Sequence, residues 1–120
     1  MANRFASILR EQASHWSEQV ERYRPSQTNL PSKVSAAQSL RTEKLAEIAH
    51  VRGTIEGGTV TDPIAIGILT AAVTELEAEV DALVAEIAKL SSWFEVVNRN
   101  IEVWEQGVER LLNLATELEA

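Results

Sequence analysis

Between Ile66 and Leu118, apolar residues recur at alternating steps of three and four without a slip. The series runs Ile66, Leu69, Val73, Leu76, Val80, Leu83, Ile87, Leu90, Phe94, Val97, Ile101, Trp104, Val108, Leu111, Ala115 and Leu118, and only Ala115 is small. A period of 3.5 residues keeps one apolar edge on one side of a slightly underwound helix. Such an edge needs a partner helix to cover it. The pattern therefore says how the chain assembles before it says anything about chemistry.

The start of this segment is well marked. Asp62 can accept the free N–H groups of a first turn, and Pro63 suits the first helical position, where its missing donor costs nothing. From Pro63 onward there is no further proline and only two glycines, Gly67 and Gly107. The reading is one long helix over 63–120, of about 85 Å at about 1.5 Å per residue. The competing reading breaks it at Ser91-Ser92, which with two helices upstream would close a four-helix bundle. The unbroken heptad phase favours the continuous helix.

Upstream, residues 4–24 form an amphipathic pattern with Phe5, Leu9, Ala13, Trp16, Val20 and Tyr23 in one sector. Proline lacks the donor that a helix interior uses, so Pro25 and Pro31 predict a polar loop between them. A second short helix over 33–52 follows, with Val34, Ala37, Leu45, Ile48 and Val51 as its apolar side. Residues 1–52 thus read as a helical hairpin that docks on the long helix through Phe5, Leu9, Trp16, Val20, Tyr23, Leu45 and Ile48. Residues 53–62 read as a Gly/Thr connector, with Gly57-Gly58 offering the turn of a small β-hairpin. The expected fold is all-α: two short N-terminal helices and a long C-terminal helix in a parallel homo-oligomeric coiled coil.

The long seam itself, Ile66 to Leu118, is the expected oligomer interface. Position a is mostly Ile or Val and position d mostly Leu, a distribution that favours two strands. The flanks pull towards three, because Ala65, Ala72, Val84, Trp93, Leu112 and Leu114 replace the usual complementary charges. A trimer is expected ahead of a dimer. Burying each large side chain is worth about 1.5–3 kcal/mol before entropy is subtracted, so an isolated open seam would aggregate.

Charge divides the chain. The net charge is −7, but residues 1–52 hold eight basic and five acidic groups, whereas 53–120 hold three basic and thirteen acidic ones. Opposite signs favour contact between the halves and argue against a nucleic-acid partner. No stretch is apolar enough for a membrane span or a secretion signal, so a soluble protein is expected, cytoplasmic or part of a particle. With no cysteine, thiolate metal sites and disulfides are excluded.

Candidate chemistry is sparse. Glu47 and His50 form one Glu-x-x-His pair, whereas di-metal bundles need two plus further carboxylates. Glu11 and His15 lie one turn apart without a third group to orient them. Glu75, Glu77, Glu79, Asp81 and Glu86 diverge around a helix rather than converge on a cation. No phosphate-cradling glycine loop or nucleophile elbow is present. The expectation is no enzyme, no metal and no cofactor, but a structural or assembly protein: an oligomeric spacer, fibre or adaptor. A short helical head on an oligomeric stalk resembles in style the accessory and fibre proteins of phage particles, which would make this a virion accessory component. The alternative is a small acidic helical module that inhibits, chaperones or regulates a basic protein.

Overall fold

The computed structural model describes residues 3–120. Two helices account for it: α1, Arg4–Glu56, and α2, Pro63–Glu119. Among the described residues there is no strand. The chain divides into two compact units, one joining the N-terminal part up to Pro31 with Ser92–Ala120, the other formed by Ser32–Ser91. In each, a segment of α1 runs antiparallel to a segment of α2.

Both helix starts are explained locally. The Asn3 side chain accepts from the N–H groups of Phe5 and Ala6 at 3.0 and 3.2 Å, capping α1. Its amide then donates to the carbonyl of Leu118, 2.7 Å away, and so satisfies the last turn of α2 as well. Asp62 caps α2 as its sequence suggests, accepting from Ile64 N–H at 3.1 Å. Between the helices, Gly58 adopts φ +75°, a left-handed turn that residues with a Cβ resist. The expected connector is therefore shorter than 53–62: helix continues through Glu56, and no β-hairpin forms.

The sequence reading needs one larger correction. Instead of two short helices and a proline-flanked loop, α1 is a single helix of 53 residues containing both Pro25 and Pro31. The physical reason is a second heptad series that passes straight through them: Ala6, Leu9, Ala13, Trp16, Val20, Tyr23, Gln27, Leu30, Val34, Ala37, Arg41, Lys44, Ile48, Val51 and Ile55. Every member except Arg41 is at least half-buried. Both prolines are exposed and off this seam, so neither ring intrudes between the helices. A proline inside a helix costs about 3 kcal/mol, and continuous packing on both sides offsets it. Gln27, Arg41 and Lys44 disguise the series by placing polar side chains at seam positions.

In the Ser32–Ser91 unit the core is a cluster of Ile48, Val73 and Val80, with Val51 and Leu76 packed against it. In the other unit the buried positions include Ala6, Ala13, Val20, Leu30, Val97, Ile101 and Ala115, and the rings of Tyr23 and Trp104 pack 5.6 Å apart. The segment around Ser91-Ser92 is unbroken helix, so the four-helix arrangement within one chain does not occur.

Candidate interaction surface

The seam of α2 finds its partner in α1 of the same chain. Val73, Val80, Val97, Ile101 and Ala115 are buried, and Ile66, Leu69, Leu76, Leu83, Ile87, Leu90, Phe94, Trp104, Val108 and Leu111 are half-buried. Leu118, at the last turn, stays exposed. Of the residues expected to dock from the N-terminal half, Leu9, Trp16, Val20, Tyr23 and Ile48 lie on the covered side. Phe5, at 69% exposure, and Leu45 do not, because they occupy flanking rather than seam positions.

The charge asymmetry of the two halves becomes a set of ion pairs between the helices. In the unit containing both termini, Arg10 makes a paired contact with Glu119, with Nη2 to Oε2 at 2.7 Å. Arg24 donates to Glu21 at 2.8 Å and to Glu105 at 2.9 Å. In the Ser32–Ser91 unit, Lys44 contacts Glu79 at 2.8 Å and Arg52 contacts Glu77. Hydrogen bonding to Arg10 holds the Glu119 carboxyl below its ordinary range, and Arg10 is raised in return. The hydrogen bond to Glu21 and then the charge of Glu21, with a smaller contribution from Glu105, raise Arg24. Glu79 raises Lys44 through its hydrogen bond. All these groups are solvent-accessible, so they select register and partner more than they stabilise.

Arg10, Arg24, Glu105 and Glu119 all occupy heptad position e, which faces the e position of the opposing antiparallel helix. The other flank of the same unit, position g, is Phe5, Gln12, Gln19 and Ser26 on α1 and Trp93, Asn100, Gly107 and Leu114 on α2. None carries a charge. Here Trp16 lies on the backbone of Gly107, where a Cβ would come within 2.5 Å of its Cζ3. A groove of about 250 Å³ follows, lined by Trp16, Val103, Gln106, Gly107, Arg110 and Leu111. The groove on the e flank is smaller, about 140 Å³, and includes Glu21, Arg24 and Glu105.

In the Ser32–Ser91 unit a groove of about 270 Å³ is lined by Arg52, Ile55, Glu56, Thr70, Val73, Thr74 and Glu77. Its two hydroxyls are turned back on their own helix: Thr70 donates to the Ile66 carbonyl at 2.7 Å and Thr74 to the Thr70 carbonyl at 3.2 Å. Arg52 and Glu77 are paired with each other.

The residues weighed for chemistry are dispersed. Glu11, His15, Glu47 and His50 are all exposed, as are Glu75, Asp81 and Glu86. Among the described residues no group of three His, Cys, Asp or Glu side chains is placed to hold a metal ion. No helix among them is long and apolar enough to cross a membrane. No family model matches this chain, and neither a curated protein nor a solved structure is significantly similar to it. What the geometry offers is a surface: thirteen large apolar side chains exposed among the described residues, including Trp93 at 54% and Val103 at 59%. The sequence reading takes several of these flanks, Val84, Trp93, Leu112 and Leu114, as a pull towards three strands. The signal it lacked was the heptad series in α1, which occupies that seam.

Proposed function

We propose that this chain is a non-enzymatic structural and assembly protein, a pair of long helices that associates with copies of itself to form a coiled-coil spacer or adaptor in a larger assembly. The observation that supports this is the poor internal burial of its apolar content. No large side chain is fully buried among the described residues, while Phe5, Ile8, Ile64, Ile68, Trp93 and Val103 are each more than half exposed. Single exposed apolar residues are ordinary, but clusters of them on a folded chain mark contact surfaces. Two helices alone have no second layer with which to cover such clusters; further helices supply it.

The function would then reside in geometry: the length of the helices, the register fixed by their ion pairs, and the surface left for assembly. Light scattering on the purified chain tests it. The expected mass is a multiple of 13.2 kDa. A mass of one chain at every concentration rejects self-assembly.

A further inference from the structure

We infer that the uncharged g flank of the unit formed by the N-terminal part up to Pro31 and Ser92–Ala120 is a two-fold interface with the same flank of a second copy. This deepens the assembly reading and rests on it. The occupant is argued from charge. In an isologous contact each patch meets its own image, so any net charge on it is set against like charge. The chain carries −7, which opposes association wherever acidic groups would face each other. The g flank of this unit avoids that cost, since none of its eight positions is charged.

Its polar members fit the same partner. Gln12, Gln19 and Asn100 each carry both a donor and an acceptor, so any of them can pair with another across a two-fold axis, which two carboxylates or two guanidinium groups cannot do. Beside Trp93 on α2, Val96 and Val103 at the adjoining position c are also exposed and extend the apolar ridge, and next to it lies the groove at Trp16 and Gly107, whose lining carries one charge, Arg110. A ridge beside a groove on one surface is self-complementary when the surface is rotated onto itself. A basic or acidic partner would be drawn instead to the e flank, where Arg10, Arg24, Glu105 and Glu119 lie. The three-stranded expectation assumed an open seam; with α1 seated there, two copies give four helices around a new core.

Sedimentation equilibrium on the full chain, with circular dichroism as the check on folding, tests this. The parent is expected to be a dimer. Trp93→Glu and Val103→Glu, both at exposed positions, are expected to weaken it at least about a hundredfold while leaving helicity unchanged. Trp93→Gln combined with Val103→Gln keeps good helix formers and adds no charge; it should weaken the dimer at least about tenfold. Leu45→Glu, a comparable exposed change in the other unit, should leave the dimer intact. A parent that associates while all the flank variants associate equally well overturns this interface but leaves the assembly reading standing. A parent that stays monomeric overturns both.

Discussion

Ile48, Val73 and Val80 make the Ser32–Ser91 unit an aliphatic pair, in which branched side chains from both helices fill the space between them. In the other unit Ala6, Ala13 and Ala115 take buried positions, and the large rings Trp16, Tyr23 and Trp104 are only half-buried. Short seam residues reduce the separation at which two helices touch. Rings too large for the remaining space pack at its edge, as Trp16 does on Gly107. The polarity of the flanks differs as well. The aliphatic unit places Lys33, Glu47, Glu79 and Glu86 at position g, whereas the alanine-containing unit places no charge there. Apolar content and burial are therefore separate quantities. The unit richest in aromatic side chains leaves Trp93 and Phe5 exposed.

This contrast can be broken, and the largest effect should come from the aliphatic core. Ile48→Ala removes most of a side chain that is 4% exposed and should cost about 2–5 kcal/mol of stability. Thermal and denaturant melts measure it; a loss below 1 kcal/mol would mean the cluster is not the centre of that unit. Next come the prolines. Replacing Pro25 and Pro31 together by Ala restores two helix donors and should raise stability by about 3 kcal/mol, less than twice the cost of one proline because proline also restrains the unfolded chain. A lower midpoint in the double variant would show that the prolines serve the fold rather than interrupt it.

A third variant sharpens the comparison from the opposite side. Ala13→Leu inserts bulk where the parent side chain is 1% exposed, and should cost about 1–3 kcal/mol through overpacking. If it stabilises instead, the seam is wider there than its alanines imply.

The smallest expected effect is electrostatic. Because Arg10 lowers the folded-state pKa of Glu119, their contact contributes stability above the ordinary carboxylate pKa. That contribution falls away as acid carries the pH down through the folded-state value. Glu119→Gln should flatten this part of the acid limb in melts at low salt, and added salt should erase the difference. An acid limb identical in parent and variant at low salt would remove the pair from the stability account.

Much of α2 was readable from residues alone. Its cap at Asp62, its start at Pro63 and its passage through Ser91-Ser92 all follow from local preferences and an unbroken period. The helix in α1 was harder to read, because Pro25 and Pro31 are strong local stop signals. Gln27, Arg41 and Lys44 also thin the apolar pattern that would have outvoted them. Part of that polarity has a visible role: Gln27 donates to Asn98 across the helix pair at 2.9 Å, a layer that favours one register.

Helical class, the boundaries of α2 and the opposite charge of the two halves were determined by the sequence, since each depends on neighbours within a turn or two or on composition. That α1 is one helix, that it covers the α2 seam, and that beside Ser92–Ala120 the ion pairs cross one flank and leave the uncharged one open were decided only by tertiary structure. The reason is that a heptad edge specifies a need for burial but not who meets it. A covering helix from the same chain and one from a copy satisfy the same pattern, and only packing distinguishes them.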